Sequence, residues 1–291
     1  MKLKKVTEKI MNTVFLVCGL TAVAAVALIT IYMIISGLPA IKEIGILDFL
    51  FGTEWKSTAA EPKFGILPFI LTSIWGTAGA ILIGVPIGLF TAVFLAKTAS
   101  QKIAGIVRPA VDLLAGIPSV VYGLIGMMVL VPAVMKLFHL NNGTCLLAAI
   151  LVLAIMILPS IISVSETALQ AVPPEYEEAS LALGATKTET IFKVSIPAAK
   201  SGIVAGIVLG IGRAIGEAMA VMMVAGNVAN MPTLFKSVTF LTTAVAKEMS
   251  YASGLQRQAL FSIALVLFCF IMIINSILNH FLKKGDMQSE K

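Results

Sequence analysis

Six predominantly apolar runs dominate the sequence, at about residues 13–36, 66–96, 109–137, 145–165, 200–227 and 258–282. Each reaches the roughly 20 residues that a helix needs to cross the hydrocarbon core of a bilayer. With no water there, every backbone polar group has to be satisfied inside the segment, and a long apolar run does this as a helix. Composition agrees: only 12% of the residues are charged, against roughly 25% for a soluble domain. That balance excludes a soluble enzyme, a disordered tail and a DNA-binding domain. The net charge of +6 sits on lysines beside the apolar runs, which fits membrane topology better than nucleic acid. The expected fold is an all-α integral membrane protein with six transmembrane helices.

Two runs carry internal breaks, Gly84 and Pro86 in the second and Gly116 and Pro118 in the third. Each is read as one kinked or tilted span, or as a span plus a short interfacial piece. The first run follows Lys2, Lys4, Lys5 and Lys9. It is too long for a signal-peptide core and no A-x-A site follows, so a retained anchor is expected. The Lys and Arg distribution sets the orientation. One side takes Lys2, Lys4, Lys5, Lys9, Lys97, Lys102, Arg108, Lys187, Lys193, Lys200, Lys283, Lys284 and Lys291. The other takes Lys42, Lys56, Lys63, Lys136, Lys236, Lys247 and Arg257, which places both termini in the cytoplasm. The chain thus divides into a cytoplasmic segment at 1–12, a six-span domain at 13–282 and a cytoplasmic tail at 283–291. An outer loop at 37–65 holds Glu43, Asp48, Glu54, Trp55 and Glu61, and a charged inner loop covers 166–199. Trp55 is read either as a contact for an extracytoplasmic partner or as an interfacial anchor. Cys18, Cys145 and Cys269 lie in apolar stretches, and His139 and His280 are far apart, so neither a disulfide framework nor a metal site is expected.

In the inner loop, Pro173 and Pro174 suit a helix start, and Glu175, Glu177 and Glu178 sit at its positive end. Gly184 suits its left-handed C-terminus, and a second helical turn is expected from Thr188 to Phe192 before Pro197. This hairpin is read either as an ordinary interfacial loop or as a docking helix for a cytoplasmic partner. In the fifth run, Arg213 and Glu217 lie at membrane depth with i, i+4 spacing. At about 100° per residue, Gly202, Gly206, Gly210, Arg213, Glu217, Ala220 and Asn227 share one stripe. The stripe is expected to pack closely at its glycines and to line a path further out. Arg213 and Glu217 form either a structural ion pair or an anion station with Arg213 as the contact. Ser119 and Tyr122 follow the Gly116–Pro118 break, and either line the same path or bond to carbonyls freed at the kink. Asp112 is expected to pair locally with Arg108.

The inner loop resembles that of the permeases of ABC importers, which has the form E-A-A, three residues, G, nine residues, I-x-L-P. Glu178, Ala179 and Ser180 match E-A-A with Ser for the last Ala, Gly184 follows after three residues, and Val194, Ser195, Ile196 and Pro197 close the pattern with Val and Ile in place of Ile and Leu. The string GRAIGEAMAVMMVAGN resembles the phosphate-specific permeases of this class, the PstC type, as do LFGTEWKSTAAEPKFGILPFILTSIWGT and LLAGIPSVVYGLIG. The likeness covers about residues 45–282. It implies the MetI-like permease fold, half of a heterodimeric pore, and an ATPase docked on the 175–197 loop through Glu178, Ala179, Gly184, Ile196 and Pro197. It implies Arg213, Glu217, Ser119, Tyr122 and Asn227 on a phosphate path. The implied partners are a PstA-like second permease, a PstB-like ATPase dimer and a PstS-like phosphate-binding protein, in the plasma (inner) membrane of a bacterium or archaeon. The sequence contains no G-x-x-x-x-G-K-[ST], so ATP and Mg would be used by the partner ATPase, and no catalytic residue or cofactor is expected in this chain. A permease for sulfate or molybdate, a secondary transporter, and a membrane scaffold or sensor are the alternatives.

Overall fold

A computed structural model describes residues 2–289; the side chains of 2–6, 9 and 278–289 lie outside the described set. Lys2, Lys4, Lys5, Lys9, His280, Lys283, Lys284 and Lys291 are therefore not described beyond the backbone, and Lys291 not at all. The first apolar run forms α1 (Lys2–Ile44), which extends beyond 13–36 at both ends. Gly45, at φ 91°, turns the chain into α2 (Ile46–Phe51), and the hairpin β1 (Trp55–Lys56) and β2 (Lys63–Phe64) completes the outer loop. The second run is α3 (Leu67–Val93), which holds Pro86 without ending and closes in a π turn at Phe94–Thr98.

The third run does not form one span. α4 (Gln101–Gly116), capped by the Ser100 side chain, stops before Pro118, and α5 (Ser119–Ile125) starts after it. The physical cause lies at Ile117: the residue before a proline is pushed out of the α region, and Ile117 has ψ 127°. A π turn at Gly126–Leu130 and α6 (Val131–Leu137) continue α5, so the crossing segment is Ser119–Leu137. α7 (Leu146–Gln170) is the fourth run. The inner loop folds as α8 (Pro174–Ala182), α9 (Lys187–Thr190), a π turn at Ile191–Ser195 and α10 (Ile196–Ala198).

The fifth run is also broken. α11 (Lys200–Gly216) ends before Glu217, which is extended at ψ 128°, and α12 (Met219–Val224) is a separate short helix. α13 (Leu241–Glu248) and α14 (Gly254–Ser289) complete the chain. Among the described residues five helices are long and apolar enough to cross a membrane by themselves. The sixth crossing arises when Lys187–Ala198 and Lys200–Gly216, which meet at 71°, are taken as one bent span.

The core is built around α7, whose Ala148, Ala149, Leu153, Met156, Ile157 and Ile161 are fully enclosed. α3 and α11 lie against it through glycines. A Cβ added at Gly84 would fall 2.6 Å from Ile157 Cδ1, and one at Gly88 2.8 Å from Ile161 Cγ2. On α11, Gly202 faces Ala168, Gly206 faces Val164, and Gly210 faces Ile161. Between apolar helices in lipid, such close approach supplies the van der Waals contact that holds them together. α1 packs mainly on α14, where Ser262 Oγ donates to the Gly37 carbonyl at 2.7 Å. Gly202→Val, which would set a branched side chain on Ala168, is expected to destabilise the bundle by about 2 kcal/mol through overpacking. Gly212→Ala, with open space around its Cβ, is expected to be neutral or stabilising. Thermal unfolding midpoints in detergent separate the two.

Candidate functional site

Two helix breaks lie side by side, because α12 packs on α5: a Cβ at Gly123 would come within 2.8 Å of the Ala220 backbone. At the α11–α12 break the freed backbone is satisfied locally. Thr242 Oγ1 donates to the Glu217 carbonyl at 2.8 Å, and the Glu217 carboxylate accepts the Ala220 N–H at 2.9 Å. At the α4–α5 break, Tyr122 is buried and its hydroxyl donates to the Leu114 carbonyl at 2.6 Å. This is the kink-capping reading of Tyr122. Ser119 stands half-buried in the first turn of α5.

Arg213 and Glu217 do not pair. Their i, i+4 geometry requires a continuous helix, and the helix ends between them, so the carboxylate turns to α12 instead. Arg213, half-buried in the last turn of α11, makes no hydrogen bond or ion pair within the described residues. Its guanidinium lies within electrostatic range of Tyr122. At 1.5 Å per residue it stands about 20 Å along α11 from Lys200. An arginine at such depth with no carboxylate partner among the described residues keeps its planar fork available for an anion.

Asn227 is not on the α11 stripe. It lies beyond α12 in a turn, at φ 53°, following Gly226 at φ 86°. Its Nδ2 donates to the Met222 carbonyl at 2.6 Å, its N–H to the Val238 carbonyl, and its Oδ1 is buried without a partner. Together with Trp55, Ser57, Thr239, Lys247 and Glu248 it lines a cavity of about 440 Å³ at the opposite end of the bundle from the inner loop. The Gly226–Asn227 pair is itself a turn signal that a helical-period reading passes over. Trp55 is buried rather than open to a partner or the bilayer surface. Its Nε1 donates to Glu248 at 3.2 Å, and Ser57 and Gln256 donate to the same carboxylate at 3.0 Å each. Asp112 is exposed and does not hold Arg108. The Arg108 Nε instead reaches Glu166 at 2.6 Å, across 58 positions of sequence.

In the inner loop, α8 starts at Pro174 and ends at Gly184 in the left-handed region, φ 91°, as its sequence requires. Thr186 and Glu189 then form a reciprocal capping box that starts α9. Glu178, Ala179, Gly184 and Pro197 are exposed and Ile196 is half-buried. Around them Tyr176, Leu181, Leu183 and Phe192 are also exposed, with Leu183 at 90%. The other face is tied down by residues that the motif does not mark. Glu177 accepts Ser195 Oγ at 2.8 Å and pairs with Lys97 Nζ at 2.5 Å. Ser180 and Thr190 share a hydroxyl contact at 3.0 Å.

Partial burial by itself would raise the Glu177 pKa, but the bonds from Lys97 and Ser195 and the Lys97 charge outweigh it and lower the pKa below the ordinary 4.5. The Thr186 backbone N–H and hydroxyl lower that of Glu189. A lowered carboxylate stabilises the fold fully above its ordinary pKa and loses that contribution as pH falls through the lowered value. A spin label on Leu183→Cys is therefore expected to gain mobility as pH falls below 4.5. Glu177→Gln is expected to loosen the same label already at neutral pH.

The long apolar crossings are those of an integral-membrane protein, and its relatives give the class as transport permease. The chain belongs to the family of binding-protein-dependent transport system inner membrane components, whose profile matches residues 84–284. It is 39% identical over 266 residues to the probable ABC transporter permease protein YqgH of Bacillus subtilis, covering 88% of this chain and 86% of that one. It is 36% identical over 252 residues to the phosphate transport system permease protein PstC of Pasteurella multocida, covering 79% and 78%. In fold it is similar to an inward-facing MetNI methionine ABC transporter, with TM-score 0.60, 20% identity, and 76% and 95% of the two chains covered. A bacterial alginate ABC transporter in complex with an alginate-bound periplasmic protein gives TM-score 0.64 at 16% identity, with 98% of each chain covered. The chain is thus a permease component of an ABC importer.

Proposed function

We propose that this permease conducts phosphate. It would form half of the path beside a PstA-like permease, receive phosphate from a PstS-like binding protein, and be driven by a PstB-like ATPase dimer docked on the 175–197 loop. The observation that carries the reading is Arg213, a deep guanidinium with no carboxylate partner among the described residues, at the end of a helix that breaks where a path would run. The 36% identity to a phosphate permease supports the choice of anion. The exposed apolar surface of α8 and the π turn that follows α9 supports the docking, since Tyr176, Leu181, Leu183 and Phe192 crowd onto a short charged loop. ATP and Mg would be used by the ATPase partner, and both termini of this chain would face the cytoplasm.

In the mechanism, closure of the ATPase dimer pushes α8, and the push reaches α11 through the 71° bend at Ala199. The path opens outward, phosphate enters, and the fork of Arg213 takes two of its oxygens. Resetting turns the path inward. Because Glu217 is occupied in capping α12, Arg213 gives up its anion to water rather than to a competing ion pair.

The test deletes the chain from its host and measures uptake of labelled phosphate and labelled sulfate at micromolar concentration. Loss of phosphate uptake alone, restored by the wild-type chain, supports the reading. Loss of sulfate uptake instead keeps the permease and replaces the substrate. Survival of both uptakes moves a sensor role to the front.

A further inference from the structure

The inner loop is joined to the bundle by the chain at both of its ends, α7 before it and α11 after it, and by side chains. Through the chain, α10 runs into α11 at Ala199, which is buried, at the 71° bend. Through side chains, Glu177 of α8 is pinned between Lys97 and Ser195. Both partners sit in π turns, Lys97 in Phe94–Thr98 at the end of α3 and Ser195 in Ile191–Ser195. Single π turns concentrate at functional sites. Each holds one residue more than an α turn, so its loss would rotate the next stretch of chain by about 100°.

Beneath the pair lies a small apolar cluster. It contains Ala92 and Val93 of α3, Leu169 of α7 and Ile203 of α11, and Ile191 and Ile196 of the loop pack on it. Apolar contact is non-directional, so this cluster allows the loop to slide over the helix ends. The polar contacts above it have a fixed geometry. Ser195 is fully buried, and the side chains of Lys97 and Glu177 are only 13% and 26% accessible, which sets this pair apart from the exposed ion pairs of the outer loop.

We infer that Glu177 is a positioning residue that carries the movement of the docking helix to α3 through Lys97, while the chain itself carries it to α11. The inference rests on the reading of α8 as the ATPase-docking helix. Without the pair, α8 still binds its partner through its outer face, but α3 no longer moves with it, and ATP is hydrolysed with less phosphate moved.

The experiment reconstitutes the complete transporter in proteoliposomes and measures ATPase retained on purification and phosphate moved per ATP hydrolysed. Lys97→Met is expected to retain the ATPase and to lower phosphate per ATP about tenfold, within the usual range of coupling between sites. The exchange Lys97→Glu with Glu177→Lys is expected to restore most of the ratio, which ties the effect to the contact between the two; full retention of the ATPase in the single variants, beside the lowered ratio, is what a merely structural role would not give. If Lys97→Met does not fold, Glu177→Gln, which keeps an acceptor for Ser195, reads the same quantity. An unchanged ratio in the single variants, or an exchange no better than they are, overturns the inference. Leu183→Asp separates it from the docking reading. If that variant still holds the ATPase, docking falls and the inference with it. If it loses the ATPase while Lys97→Met keeps the wild-type ratio, the inference alone is overturned.

Discussion

Arg213→Ala is expected to lower phosphate uptake about 100-fold, the loss of roughly 3 kcal/mol that a charge-assisted bond to an anion supplies. Assembly is expected to survive, because the guanidinium holds no hydrogen bond or ion pair within the described residues whose loss would loosen α11. Arg213→Lys is expected to fall between, since an ammonium keeps the charge and loses the bidentate fork. Glu217→Ala acts by another route. It removes the acceptor of the Ala220 N–H, a capping loss of about 1 kcal/mol, and shifts α12 against α5. A double-mutant cycle between Arg213 and Glu217 is therefore expected to be close to additive. Measured uptake and complex yield check each variant. Strong coupling between the two, or wild-type uptake in Arg213→Ala, would return the arginine to a structural ion pair.

Features that are periodic or local were legible in the amino-acid sequence. The apolar runs gave the crossings, because burial in lipid leaves a long apolar segment one solution. The left-handed turn at Gly184 and the close approach of Gly202, Gly206 and Gly210 to α7 come from the absence of a side chain. The single-stripe reading of Arg213, Glu217 and Asn227 failed for a physical reason: it assumed one helix, and nothing local announces that Gly216 ends it. The end is decided by Thr242, which bonds the Glu217 carbonyl from 25 positions away. Likewise Arg108 had a carboxylate four residues on, yet the fold offered Glu166 from α7 at 2.6 Å. Trp55 with Glu248, 193 positions apart, and Lys97 with Glu177 are of the same kind. Long-range polar partners are chosen by the packed bundle, and spacing along one helix does not contain them.

The docking loop gives the second large effect, and adjacent glutamates separate its two faces. Successive residues on a helix point about 100° apart, so Glu177 turns inward to Lys97 while Glu178 stays exposed. Glu178→Lys leaves the inner ties of α8 in place and reverses the charge on the face offered to the ATPase. It is expected to weaken ATPase association about 30-fold, the roughly 2 kcal/mol of an interface hot spot, and to lower uptake in proportion. Leu183→Ala is expected to cost nearly as much, because a side chain 90% exposed has no role inside this chain to lose. Gly184 sets the scale for strain. Its φ is 91° and the space around it is open, so Gly184→Ala adds only the left-handed penalty, about 1 kcal/mol, and Gly184→Asn adds less. The expected order of ATPase retention is therefore Gly184→Asn, Gly184→Ala, Leu183→Ala and Glu178→Lys, from most to least. The order is read by co-purification at fixed salt. Full retention in Glu178→Lys and Leu183→Ala together would mean that the ATPase contacts some other surface. The exposed apolar residues Tyr176, Leu181, Leu183 and Phe192 would then belong to the membrane boundary, and the path to Arg213 would have to be driven from elsewhere.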